Sequence, residues 1–377
     1  MATYPIEALM TERREELNAW DKANQVNPRI CGFGNANPVL RLSQKETFRM
    51  LGYTDLRILR IFLNSGIESR CFYLDPENFN RFETADELNQ RYLQGAMQIG
   101  SRAVNACLES AGITPRDVDL FLVCSCTGYL CPDLGSRLIG QLGFRPDVQR
   151  APMLGLGCAG AVPTLQRASD FTRANPGKLA LMLAVEICSA SYYQDKTLET
   201  AVGNAICADG AAAFLLSTNP DIGHIHGSGA DLHFPEIVDF QSFLDPAQLD
   251  KVGLEHRDGK LRIILATEVR DLAGPMIENA VDPLLLRNGL NRSDIRFWVA
   301  HPGGRKVIDE VKKHIGLTDE QLQFSRTVLR SYGNMSSPTV MYVLDGVVRL
   351  GDPQPGDWGV MVALGPGMAA EAALLKW

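Results

Sequence analysis

The chain has 377 residues, 45% of them hydrophobic and 21% charged, an ordinary composition for a soluble globular protein and a length that suits two domains or one large α/β unit. A formal net charge of -7 argues against nonspecific binding to nucleic acid or to an anionic membrane, since both want a basic surface; a local basic patch can still hold an anionic small ligand. Nine cysteines, an odd number without dense regular spacing, read as reduced thiols of a cytoplasmic protein rather than as a disulfide framework.

In chain order, residues 1–26 read as a polar helical lead-in with no apolar core of a signal peptide. Gly32–Pro38 (GFGNANP) reads as a turn-rich start to the globular part. Strand-like apolar runs follow at Leu120–Cys124, Leu179–Val185, Ala211–Leu216, Phe297–Ala300 and Val360–Leu364. They alternate with longer helical stretches, which predicts mostly parallel sheets covered by helices. The most apolar of these runs, Leu179–Val185, is interrupted by Glu186 and is too short to span a bilayer.

The chain repeats itself weakly. Ala111–Cys124 (AGITPRDVDLFLVC) and Asn288–His301 (NGLNRSDIRFWVAH) share Gly, an apolar residue, a basic residue, Asp and a strand-like end. Gly112 and Gly289 are 177 apart (289 − 112), as are Asp117 and Asp294 (294 − 117). A second echo, in the same order, pairs Ala208–Leu216 (ADGAAAFLL) with Gly367–Leu375 (GMAAEAALL). Two echoes in order suggest a duplicated α/β unit, with halves at 27–220 and 221–377.

Three segments carry candidate chemistry. In MLGLGCAGAVPTL, Cys158 sits in a small, Gly-rich turn ahead of a helical stretch from Thr164 to Arg173. The N–H groups and partial positive charge of a helix N-terminus favour a thiolate, which predicts a lowered thiol pKa. The bland alternative is a small buried Cys in a tight turn. In FWVAHPGG, His301 ends an apolar run where a strand emerges into a loop, a usual place for ligand sites in open α/β sheets; a loop-capping His is the alternative. In SYGNMSS, Asn334 among small residues suits a hydrogen-bond donor aimed at a carbonyl oxygen, or is simply a turn Asn. The other histidines, at 224, 226, 233, 256 and 314, lie in polar or irregular contexts. Cys124, Cys126 and Cys131 (CSCTGYLC) lack a second Cys/His pair nearby, so a zinc site is not expected. No G-x-G-x-x-G opens a helix after a strand, which argues against a dinucleotide site.

The order Cys158, His301 and Asn334, with the segments HPGGRKVIDEV, SYGNMSSPTV and GPGMAAEAAL, resembles the type III polyketide synthase (chalcone-synthase-like) family from about Arg29 to Trp377. The resemblance implies the thiolase-type duplicated αβαβα layered fold and an acyltransferase activity. In that scheme Cys158 attacks a starter thioester and carries the growing acyl chain, and His301 pairs with the thiolate. His301 and Asn334 together donate hydrogen bonds to the thioester carbonyl of malonyl-CoA, stabilising the enolate that decarboxylation leaves. No metal and no cofactor beyond coenzyme A thioesters are implied. The partners implied are malonyl-CoA, an acyl-CoA starter and a second copy of the chain.

Further positions follow from the same resemblance. Cys126, Thr127, Cys131, Ser191, Cys207, Leu254, Ile263 and Ser336 are expected at the substrate cavity. Cys131 holds the position that reaches across the dimer interface in the family. Cys207 and Ile263 stand where the plant enzymes carry gate phenylalanines, and Ala159 replaces the Phe after the nucleophile. Losing the rings enlarges the passage or loosens its grip on a flat starter. Arg57 and Arg60 match basic CoA-binding positions, a third usual basic position is Asn64, and Arg305 and Lys306 are candidates on charge alone. RIFLNSGIESRCFYLDPEN, ICSASYYQDKTLETAVGNAICADG and EAALLKW look closer to bacterial members that make 3,5-dihydroxyphenylacetyl-CoA from malonyl-CoA alone. An alkylresorcinol or alkylpyrone synthase with a fatty acyl starter fits an aliphatic gate equally. The readings from other classes are a single-round ketoacyl synthase on acyl carrier protein, which would want a basic docking surface, and a noncatalytic partner of the same fold.

Overall fold

The computed structural model describes residues 26–77, 79–80, 82–193, 195, 197–222 and 232–377. The helical lead-in read at 1–26, His224 and His226 therefore lie outside the described residues, apart from Val26. Strands β1 (Arg29–Ala36) and β2 (Leu40–Ser43) lead to helices α1 (Gln44–Met50) and α2 (Leu56–Leu63), strand β3 (Ser69–Phe72) and helix α3 (Ala85–Ala111). Strand β4 (Leu120–Cys124), α4 (Leu134–Leu142), β5 (Gln149–Met153), α5 (Ala161–Ala174), β6 (Ala180–Ile187), α6 (Leu198–Ile206) and β7 (Asp209–Ser217) follow. After them come β8 (Glu236–Leu244), the hairpin β9 (Val252–Arg257) and β10 (Lys260–Leu265), α7 (Val269–Arg287) and β11 (Ile295–Ala300). Helices α8 (Arg305–Ile315), α9 (Gln323–Tyr332) and α10 (Pro338–Leu350) and strands β12 (Trp358–Gly365) and β13 (Ala369–Lys376) close the chain.

The main sheet runs β11-β12-β13-β8-β1-β7-β6-β4-β5. It is mixed, which corrects the expectation of mostly parallel sheets. Only β11 with β12, β6 with β4 and β4 with β5 pair in parallel; the other neighbours are antiparallel. The reason lies in β7 and β13. Each strand returns antiparallel into the sheet, and an apolar run buried on both faces reads alike in either direction.

The duplication is real. From the shared β1/β8 boundary outward, β1-β7-β6-β4 and β8-β13-β12-β11 follow the same order with the same sense at every step. The echoed segments coincide with matching structure. Gly112 and Gly289 sit left-handed at φ 67° and 68°, where only glycine is at ease. A one-turn capping box follows each: Thr114 N–H donates to Asp117 Oδ2 at 2.8 Å and Asn291 N–H to Asp294 Oδ2 at 2.7 Å.

Side chains alternate along the strands and feed separate cores. On β6, Ala180, Met182 and Ala184 join a central cluster with α5 and α10, while Leu181, Leu183 and Val185 join an outer one with α3. On β13, Ala373 and Leu375 face the centre, while Ala372 and Leu374 face α7. The layers are thus α3, half-sheet, α5 with α10, half-sheet, α7, the layering the resemblance implies.

One sequence reading fails here. GFGNA is not a turn but most of the interior of β1, between β7 and β8. Its glycines are set by packing: a Cβ at Gly34 would lie 2.0 Å from the carbonyl oxygen of Ala103, and one at Gly32 would lie 2.8 Å from that of Cys107, both on α3. Close approach of a helix to a strand uses the same residue that marks turns.

Candidate active site

Cys158, His301 and Asn334 come from three elements and meet at one cavity of about 540 Å³. Cys158 lies in a short turn, Gly157–Ala159, just before α5. Gly157 is left-handed at φ 52°, and a Cβ there would strike the Pro366 ring at 2.4 Å; the turn of one half thus packs against the loop before β13 of the other. His301 directly follows β11, its N–H bonded to Val362 O at 2.8 Å. The pseudo-equivalent of His301 in the first half, 177 residues earlier, is Cys124, which is buried beneath the Cys158 turn.

Asn334 follows α9 and is sewn to the segment before β7. Its N–H donates to Ile206 O at 2.8 Å, and its carbonyl accepts from Ala208 N–H at 2.9 Å. On the side chain, Oδ1 accepts the Ser336 N–H at 2.8 Å. Ser336 turns to reach it with φ 58°, a strained value for a non-glycine residue. With Oδ1 so held, Nδ2 is the donor, 3.3 Å from Gly303 O. The Cys158 thiol lies 4.0 Å from Asn334 Oδ1.

Among the described residues, neither buried ring nitrogen of His301 has a hydrogen-bond partner. Burial lowers its pKa from 6.5 to about 4. Burial likewise pushes the Cys158 thiol up, to about 12, with Ser336 and Asn334 opposing the rise. The expected lowering by the helix N-terminus is overturned, because desolvation of the thiolate outweighs a partial charge. A lone charge is disfavoured on either group.

Beneath the cavity, Glu186 at the end of β6 is fully buried. Its Oε2 accepts Cys126 N–H (3.0 Å), Thr127 N–H (3.1 Å), the Thr127 hydroxyl (2.8 Å) and the Ser125 hydroxyl (3.3 Å); Oε1 accepts the Ser337 hydroxyl (2.8 Å). Burial raises its pKa, and these donors oppose the rise. The carboxylate ties the loop after β4 to the Asn334 loop.

Of the residues expected at the cavity, Cys126, Thr127, Ser191, Cys207, Leu254, Ile263 and Ser336 line it. The Thr127 hydroxyl is committed to Glu186 and Ile187, and that of Ser191 to Cys188 O. Cys131 is exposed and lies outside its own chain's cavity. Arg57, Arg60 and Arg305 are exposed and do not line it either. Arg57 folds back on the Asp55 N-cap, its Nη2 2.7 Å from Oδ2. Arg305, between the lining residues Gly303 and Val307, packs its stem near Gly66, just past α2.

The chain matches the family model for chalcone and stilbene synthases, C-terminal domain, over residues 237–377, and the FAE1/type III polyketide synthase-like model over 40–234. A 3,5-dihydroxyphenylacetyl-CoA synthase from Streptomyces toyocaensis is 34% identical over 355 residues, 93% of this chain and 90% of that one. The chain belongs to the type III polyketide synthase family. Such enzymes are acyltransferases that condense malonyl-CoA iteratively. Among solved structures, PKS-I from the brown alga Ectocarpus siliculosus superposes with a TM-score of 0.82 at 30% identity, covering 94% of this chain and 99% of that one. The 1,3,6,8-tetrahydroxynaphthalene synthase of Streptomyces coelicolor A3(2) gives 0.84 at 25% identity, covering 93% and 99%.

Several residues that line the cavity of this polyketide synthase escape a motif reading. Cys188, Val252, His256, Leu261, Leu265, Val307 and Met368 also line the cavity. Most carry no pattern beyond alternation on a hairpin. Glu186 did carry a signal, since a carboxylate inside an apolar strand needs buried donors.

Proposed function

We propose that Cys158 takes an acyl group from a CoA thioester and that rounds of decarboxylative condensation with malonyl-CoA extend it before closure to a resorcinol- or pyrone-type ring. The carrying observation is that the two duplicated halves deliver Cys158, His301 and Asn334 to one largely aliphatic cavity. His301 receives the thiol proton as Sγ attacks the thioester carbonyl, then gives it to the departing CoA sulfur. On this reading the His301 ring nitrogens, which have no partner among the described residues, and the second N–H of Asn334 Nδ2 donate to the malonyl thioester carbonyl. As the malonyl C–C bond breaks and CO2 leaves, the negative charge collects on that oxygen, where preorganised donors are most effective. The enolate carbon then attacks the Cys158 thioester, and the lengthened chain leaves Sγ on the extender's CoA.

Leu254, Leu261, Ile263 and Leu265 along one wall, without an aromatic gate at Cys207 or Ile263, support a flexible aliphatic starter. A second reading, malonyl-CoA as starter and extender, is favoured by the 34% identity to a 3,5-dihydroxyphenylacetyl-CoA synthase. Exposed Arg57, Arg60 and Arg305 suit the CoA phosphates, Cys131 suits a contact in a homodimer, and a cytoplasmic setting suits nine reduced thiols. Mass spectrometry of products from malonyl-CoA alone, then with acyl-CoA starters of graded length, separates the two readings. A resorcinol from malonyl-CoA alone supports the second, and products only with acyl starters support the first. Carbon–carbon bond formation only with a carrier-protein substrate refutes both. Cys158→Ala is expected to abolish extension and leave residual malonyl-CoA decarboxylation; extension that persists removes Cys158 from the role of nucleophile.

A further inference from the structure

Hairpin β9–β10 forms a two-stranded sheet apart from the main one. Its register pairs Leu261 with His256, Ile263 with Leu254 and Leu265 with Val252. Alternation puts these six on one face, and all six line the cavity. The other face carries the cross-strand pair Arg262 and Glu255. Arg262 is buried, with 7% of its surface exposed. Its Nε donates to Asp195 Oδ2 (3.2 Å), Nη1 to Glu255 Oε1 (3.0 Å) and Nη2 to Glu199 Oε2 (3.3 Å). Asp195 and Glu199 bracket the start of α6, whose N-cap is Thr197. The second oxygen of Glu199 accepts the Leu265 N–H at 2.8 Å. On the same helix Gly203 seats Ile263, which lies within 3.3 Å of where a Cβ would stand.

A lone hairpin is marginal in water and has no fixed position of its own. What fixes this one against α6 includes the Gly203 seat, the Leu265 N–H bond to Glu199 and one guanidinium that joins Glu255 of the hairpin to Asp195 and Glu199. We propose that Arg262 is a positioning residue for starter selection: its latch sets how far the aliphatic face of the hairpin stands from Cys158, and so which acyl lengths fit. The inference rests on the reading that Cys158 carries a CoA-derived acyl chain. Without the cation, Asp195, Glu199 and Glu255 face one another as like charges and drive the hairpin from α6. Lysine keeps the charge but lacks the planar fork that reaches three acceptors at once.

The test uses the full-length Arg262→Met, Arg262→Lys and Glu199→Gln variants with malonyl-CoA and straight-chain starters from acetyl- to palmitoyl-CoA. Values of kcat and KM are taken for each starter, and thermal melting follows folding. Arg262→Met is expected to change the kcat/KM ratio between the longest and shortest accepted starters by about tenfold, mostly through KM, as pocket fit does. Arg262→Lys should fall between it and the parent. Glu199→Gln, which keeps an oxygen for the Leu265 N–H, should shift the profile in the same direction by less. A folded Arg262→Met with the parental chain-length profile overturns the proposal. Should that variant not fold, unchanged profiles in both Arg262→Lys and Glu199→Gln overturn it instead. Failure of the parent enzyme to extend any CoA starter removes the underlying reading and the latch with it, an outcome distinct from an unchanged profile.

Discussion

Glu186 offers the sharpest test of how the site is held together. Its carboxylate is fully buried and serves five donors from the loop after β4 and the Asn334 loop. Replacement by alanine affects those donors unequally. The Ser125, Thr127 and Ser337 hydroxyls can rotate, whereas the Cys126 and Thr127 N–H groups are fixed by the backbone. A stranded buried donor costs about 1–3 kcal/mol, so two give about 2–6 kcal/mol for Glu186→Ala. Glutamine behaves differently. Its carbonyl oxygen can keep the Cys126 and Thr127 bonds, and its amide can donate to the Ser337 hydroxyl. Only the charge assistance is lost, about 1 kcal/mol. Because burial raises the Glu186 pKa, the parent gains stability as pH falls through that raised pKa, and Glu186→Gln lacks the gain. Urea unfolding followed by circular dichroism measures both variants. Alanine within about 1 kcal/mol of the parent, or glutamine as damaging as alanine, refutes the account of Glu186 as the tie between the two loops.

Other predictions probe packing, charge and the gate. Gly34→Ala puts a Cβ 2.0 Å from Ala103 O and 2.4 Å from Cys107 N. Neither backbone atom can step aside, so destabilisation of about 3 kcal/mol is expected, at the top of the usual overpacking range. Gly140→Ala, with open space around it at an exposed position of α4, should be neutral or gain up to about 1 kcal/mol; calorimetry compares the two. The His301 pKa is depressed from 6.5 to about 4, so the neutral ring's contribution is complete above pH 6.5 and is lost as pH falls through 4. The shift of 2.5 (6.5 − 4) corresponds to about 3 kcal/mol, and His301→Gln should lose that much less than the parent on acidification. Buried Asp209, raised to about 6, has the opposite sign but is common to both proteins; parallel stability–pH curves would contradict the assignment. Ile263→Phe should lower kcat/KM for long acyl starters by about tenfold or more and spare malonyl-CoA alone, with product profiling as the readout.

How far the sequence discloses this molecule depends on what each residue answers to. Gly112, Asp117, Gly289 and Asp294 answer to local backbone geometry, and the same turn is built twice, so their spacing exposes the duplication. Cys158, His301 and Asn334 stand in short motifs that a window shows directly. Gly32 and Gly34 answer to a helix about 70 residues downstream (103 − 34 = 69), and no window around them shows it. The thiol of Cys158 answers to everything that excludes water from it. A helix N-terminus is visible in the string, but burial that pushes the thiol to about 12 is not.

The hairpin shows the same division within six residues. KLRIIL reads as an alternating strand, and Ile263 can be aligned with a gate position from sequence alone. That Arg262 between Leu261 and Ile263 is buried against three carboxylates cannot be read there, because Asp195 and Glu199 are more than 60 residues away (262 − 199 = 63). A gate side chain therefore has two determinants. Its own size is written at one position, and on the proposal above its distance from Cys158 is written on the opposite face of the strand. Replacing Ile263 tests the first and replacing Arg262 the second. If both act through fit, their effects on starter preference should fail to add, since moving the wall changes how much a ring at Ile263 can obstruct.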